Sequence, residues 1–157
     1  MFRKSDLLII IIAFGILFLS CKQNQVFDEV VSVPGDGWNL SDTIRFNVAI
    51  SDTSASYDIL LHIRNEKSFK YSNLWLFVET TGPNGQTLRD TLEIMLADEE
   101  GNWLGKGIGS VNTLLIPYIT QVGFKYRGIY TFAITQGMRD NLLEDILNVG
   151  LRIDYHH

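Results

Sequence analysis

Apolar and polar residues alternate with a period of two in block after block of this chain. From Thr43 to Ile50, the side chains of Ile44, Phe46, Val48 and Ile50 share one face, while Arg45, Asn47 and Ala49 share the other. Tyr57, Ile59, Leu61 and Ile63 repeat the pattern against Asp58, His62 and Arg64. Successive strand residues point to opposite faces, so each block predicts a half-buried strand. Residues 86–97 follow through Leu88, Leu92, Ile94 and Leu96, and Asp90 breaks the register as an edge or a bulge would. Residues 111–119 read as a strand whose Pro117 places it at an edge. Residues 128–135 and 148–155 close the series through Phe132 and Ile134, then Val149, Leu151, Ile153 and Tyr155. The run Leu74-Trp75-Leu76-Phe77-Val78 is apolar throughout and predicts a strand buried on both faces, with Trp75 in the core. Residues 136–147 are the one helical candidate, with Met138, Leu142 and Leu143 on one side.

Turn residues separate these blocks: Pro34-Gly35-Asp36-Gly37, the loop 51–56, Gly82-Pro83-Asn84-Gly85 and Asp98-Glu99-Glu100-Gly101. Many short strands between such turns predict an all-β chain. The expectation is a single-domain β-sandwich of about eight strands over residues 26–157, jelly-roll-like, with one short helix across an open end.

The first residues break the pattern. Arg3 and Lys4 precede an apolar run from Leu7 to Leu19, and Ser20 precedes Cys21, the chain's only cysteine. A basic segment, an apolar segment and a small residue make a secretory signal over residues 1–20. The run is too short to span a bilayer, which takes roughly 20 apolar residues. Phe18-Leu19-Ser20-Cys21 resembles a bacterial lipobox, although the first of these positions is usually Leu. The resemblance implies cleavage before Cys21 and its acylation. Residues 21–25 then form a tether, and the chain reaches the membrane through its lipid, since stable anchoring takes more than one acyl chain. With the lone cysteine acylated, no thiol remains for catalysis, disulfides or metal binding.

Composition narrows the partners. Among 157 residues, 18 acidic side chains outnumber 13 basic ones, for a net charge of −5. Losing Arg3, Lys4 and Asp6 with the signal leaves the chain still acidic. That acidity, with no basic stripe, disfavours nucleic acid or an anionic membrane as the main partner.

Candidate chemistry is sparse. Gly105-Lys106-Gly107-Ile108-Gly109 has glycines but no following helix, so a bulged loop is favoured over a phosphate site. Asp90, Asp98, Glu99 and Glu100 lack the spacing of a calcium loop and read as a solvated turn. His62, His156 and His157 have no nucleophile elbow to serve, so no catalytic residue, metal site or cofactor is assigned. Trp38 and Trp103 flank turns, and are either core lids or exposed contacts for a protein partner or a glycan.

An ordered set of segments carries a family resemblance. Leu96-Ala97-Asp98, Gly101, Trp103-Leu104-Gly105, Gly107 and Gly109 come first. Gly128-Ile129-Tyr130-Thr131-Phe132, Gln136, Met138-Arg139 and Val149-Gly150-Leu151-Arg152-Ile153 follow. With the lipobox, Trp38 and Asn73-Leu74-Trp75-Leu76-Phe77, they resemble the gliding-motility lipoprotein GldH family. The resemblance implies a non-enzymatic outer-membrane lipoprotein, supporting gliding motility and type IX secretion through contacts with other envelope proteins. It carries over one residue, Cys21 as the lipid bearer. The polar residues after Cys21 place the protein on the periplasmic face. The alternative is a glycan-binding surface lipoprotein built on a β-sandwich carbohydrate-binding module, with its rings at Trp38 or Trp103.

Overall fold

The computed structural model describes residues 24–157. Cys21 and the signal before it lie outside the described residues. Ten strands follow in order: β1 Gln25–Ser32, β2 Trp38–Asn39, β3 Ile44–Ile50, β4 Tyr57–Glu66, β5 Asn73–Thr81, β6 Thr87–Met95, β7 Val111–Val122, β8 Gly128–Gln136, β9 Leu142–Leu143 and β10 Ile146–Tyr155. The eight long strands form two four-stranded sheets, ordered β1-β10-β4-β7 and β3-β8-β5-β6. The antiparallel pairs β1·β10, β3·β8, β4·β7 and β5·β6 nest around one another. That nesting is the jelly roll, a two-sheet solution in which each antiparallel pair closes over the next.

The period-two pattern determines which residues fill the space between the sheets. Tyr57, Ile59, Leu61 and Ile63 of β4 and Val149, Leu151 and Ile153 of β10 are buried from one sheet. Phe46, Val48 and Ile50, with Leu74, Leu76, Val78, Phe132 and Ile134, meet them from the other. Each such side chain contributes roughly 1.5–3 kcal/mol on leaving water. Pro117 does lie on an edge strand, β7, and Asp90 lies on the opposite sheet's edge strand, β6.

Two of the crossings between sheets, β1 to β3 and β8 to β10, run together at one corner, where β2 pairs with β9. Trp38 is fully buried there, and its Nε1 donates to the Asp42 carbonyl at 3.1 Å. Gly37, at φ +118°, makes the approach possible, because a Cβ would sit 2.7 Å from the Leu143 carbonyl oxygen.

The expected helix is absent. Gln136 ends β8, and residues 137–141 turn into β9 and then β10. Gln136 is buried, and its side chain takes the backbone groups that a helix would use. Its Oε1 accepts from Met138 N at 2.8 Å, and its Nε2 donates to the Asp140 carbonyl at 2.8 Å. Side-chain capture of neighbouring backbone groups favours a turn over a helix. At the other extreme of the chain, the sheet begins inside the expected tether. Asn24 and Gln25 already pair with the end of β10, and Tyr155 N donates to the Asn24 carbonyl at 2.9 Å.

Candidate docking face

β5 carries its apolar run across the sheet instead of into it. Leu74, Leu76 and Val78 point inward and are buried, while Trp75 and Phe77 point outward, 37% and 49% exposed. This corrects the expectation of a strand buried on both faces. The pleat sends alternate residues to opposite sides, and among the described residues no strand packs over the outer face of β3-β8-β5-β6. The signal that distinguishes the faces lies in the flanks. Asn73 and Glu79 are polar and in phase with Trp75 and Phe77.

Cross-strand register sets the rest of the surface. Trp75 lies opposite Glu93, and Phe77 lies between Thr91 and Thr135. Met95, 49% exposed, sits opposite Asn73 at the end of the row. Asn73 Nδ2 donates to Glu93 Oε1 at 2.7 Å, and Arg89 Nε donates to Glu79 Oε2 at 2.6 Å, so the polar groups around the rings are held in place. Gly137 passes beneath Phe77, where a Cβ would meet the ring at 3.0 Å. The Trp75–Phe77 ridge separates two hollows. One of about 450 Å³ is bordered by Arg45, Phe77, Glu79 and Arg89. The other, of about 380 Å³, is bordered by Tyr71, Trp75, Met138 and Arg139. Exposed Trp, Met and Phe beside Tyr and Arg are the residues that dominate binding surfaces.

The residues singled out from sequence are dispersed. Trp38 belongs to the core, so the contact expected of it is not available in this fold. Trp103 is half-buried against the core and bridges to Ala97. Lys106 pairs with Thr113 through two 2.8 Å backbone bonds, so the Gly105–Gly109 segment is a strand-like loop. Asp98 accepts from Asn102 N at 2.7 Å and from its Nδ2 at 3.0 Å, and these bonds hold its carboxyl below the usual range. Asp90 bonds Tyr118, well apart from Asp98 in register. Among the described residues no group of acidic, His and Cys side chains is placed to hold a metal ion. His62 Nε2 meets Asp28 at 3.0 Å and His156 Nδ1 meets Asp58 at 2.8 Å. No described hydrogen bond joins either ring to a hydroxyl or a thiol. Among the described residues no helix is long and apolar enough to cross a membrane.

Fold and surface together define a jelly-roll β-sandwich domain with an aromatic ridge on one open sheet face. The family model of the GldH lipoprotein matches residues 25–153, nearly the whole described body. The chain belongs to the GldH lipoprotein family. It is 36% identical over 146 residues to a gliding motility lipoprotein GldH homolog of Christiangramia forsetii, covering 88% of this chain and 89% of that one. It is 31% identical over 152 residues to the gliding motility lipoprotein GldH of Flavobacterium johnsoniae, covering 92% and 94%. Among solved structures, a carbohydrate-binding module specific for non-crystalline cellulose is similar over 82% of this chain and 74% of its own, with a TM-score of 0.40 and 11% identity.

Proposed function

We propose that this protein is a non-enzymatic, lipid-anchored docking module of the outer membrane. Acylated Cys21 holds it on the periplasmic side, and the Trp75–Phe77 ridge binds another envelope protein of the gliding and type IX secretion machinery. The observation that carries the reading is the exposure of two large rings, side by side on a rigid, hydrogen-bonded sheet face. A monomeric protein keeps such groups in water at a cost, and they mark interaction sites. The glycan alternative placed its ring at Trp38 or Trp103; the first is buried and the second half-buried.

The test is complementation. A Flavobacterium johnsoniae strain lacking its own relative receives this chain, intact or with Trp75→Ala and Phe77→Ala together. The intact chain restores spreading and cross-links to an envelope protein. The double variant accumulates and fractionates normally but does neither. Full spreading by the double variant refutes the docking face. Binding of the intact chain on a glycan array, lost in the same variant, replaces the protein partner with a sugar.

A further inference from the structure

The two sheets are closed against each other on one side, where β1 approaches β3. On the other side the edge strands β6 and β7 part, leaving a largely apolar cleft of about 500 Å³. Leu88, Ile119, Val122, Phe124 and Tyr130 line it, and Tyr126 stands at its mouth. The cleft sits at one end of the sandwich. Register identifies that end: Gln25 pairs with Asp154, Tyr155 with Tyr57, and Tyr57 with Val122. A run of rings crosses it, with Tyr155 stacked 5.2 Å from Tyr57, Tyr57 5.2 Å from Phe124, and Phe124 4.6 Å from Tyr130.

The same end carries the start of the described chain. Asn24 is fixed there by its backbone bond from Tyr155 and by Asn24 Nδ2 donating to the Tyr155 carbonyl at 3.2 Å. Only two residues separate Asn24 from Cys21, so three residue steps span the gap, with a reach of about 10 Å. The ten-residue strand β10, at about 3.3 Å per residue, makes the sandwich roughly 30 Å long. A lipid on Cys21 therefore holds this end, and not the far one, against the bilayer. A loop at this end suits that position: Tyr126 is exposed between Lys125 and Arg127. Tyrosine favours the headgroup region, and flanking cations favour anionic lipids.

We infer that the cleft-bearing end, led by the Lys125-Tyr126-Arg127 loop, rests on the phospholipid surface, so that the sandwich stands end-on with its docking face parallel to the membrane normal. This inference rests on the reading that Cys21 carries the lipid. Cys21 is the chain's only cysteine, so once it is acylated, one added cysteine accepts a nitroxide label alone. Full-length acylated protein carrying Tyr126→Cys, Lys125→Cys or Ile108→Cys is reconstituted in vesicles of phosphatidylethanolamine and phosphatidylglycerol. Ile108, 96% exposed, lies at the opposite end. Labels at 125 and 126 are expected to gain collisions with lipid-dissolved oxygen several-fold over the label at 108, and to lose collisions with a water-soluble nickel chelate. Equal accessibility at both ends overturns the inference, as does a label at 126 shielded from water but unreached by oxygen, which signals a protein cover. Vesicle flotation separates the two readings. Protein that fails to float removes the anchor and this inference together. Protein that floats with residue 126 in water removes the inference alone.

Discussion

The phenol oxygen of Tyr118 lies 2.5 Å from Asp90 Oδ2, joining the edge strands of the two sheets across the open side of the sandwich. This contact explains a charged residue at an apolar register position, since Asp90 lies opposite the buried Val78 and faces the same side. Burial, and then the Asp90 carboxylate, hold the Tyr118 hydroxyl well above the usual tyrosine range. In the unfolded chain it ionises near pH 10, while the folded chain retains the proton. The contribution is therefore complete below about pH 10 and lost as pH rises beyond it. Tyr118→Phe is expected to cost about 1 kcal/mol at neutral pH, with a flatter alkaline limb than the parent. Urea denaturation at a series of pH values checks both, and parallel alkaline limbs would exclude the coupling.

Two tryptophans separate packing from function. Trp38→Ala empties a buried site and is expected to cost about 3–5 kcal/mol, enough to unfold much of a marginally stable domain. Trp75→Ala removes a ring that water already reaches, and its cost is expected to stay within about 1 kcal/mol. Thermal melts of the two variants give the contrast. Spreading assays then complete it, since Trp75→Ala is expected to abolish spreading in a protein that remains folded.

Alternation made most of the fold legible in the sequence. The inward sets of β3, β4, β8 and β10 are the residues that the period-two pattern selects, and Pro117 marks its edge because it lacks a donor for the ladder. Three features were hidden for separate reasons. The uninterrupted apolar run of β5 masks its own alternation, so Trp75 reads as core until Asn73 and Glu79 are used to phase it. The segment after Gln136 has helical spacing, but a side chain that turns back on its own backbone leaves no trace in periodicity. Trp38 flanks a turn in sequence, yet the long-range pairing of β2 with β9 brings it into the core, and local pattern carries no information on that pairing. The docking face was thus in the sequence as composition but not as position.

An acid-sensitive contact pins the end proposed to meet the membrane. Gln121, at φ +56°, donates its backbone N–H to Asp58 Oδ1 at 2.9 Å, and His156 Nδ1 meets the same carboxylate at 2.8 Å. The Gln121 bond, followed by His156, lowers the Asp58 carboxyl below its ordinary value. A depressed carboxyl stabilises the fold above the unfolded value of about pH 4, and that contribution is lost as pH falls through the folded one. Asp58→Asn is expected to flatten the decline in stability below about pH 4 while leaving the alkaline limb unchanged. Denaturation midpoints from neutral pH downward test it, and an unaltered acid limb would remove Asp58 from the account.

Gln136 links the core to the docking face. Its buried amide holds Met138 N and the Asp140 carbonyl, and Met138 Sδ in turn accepts from Trp75 N at 3.3 Å. Gln136→Leu keeps the volume but strands both backbone groups, at an expected cost of about 1–3 kcal/mol. The turn would then loosen beneath Phe77 and beside Trp75, blurring the hollow that Tyr71, Met138 and Arg139 border. Partner cross-linking through the ridge is expected to drop even at temperatures where the variant is fully folded. Gln136→Glu at low pH, where the protonated acid can donate to the Asp140 carbonyl, is expected to recover stability that it lacks at neutral pH. A Gln136→Leu variant that is less stable but cross-links at parental yield would show that the face does not depend on this turn.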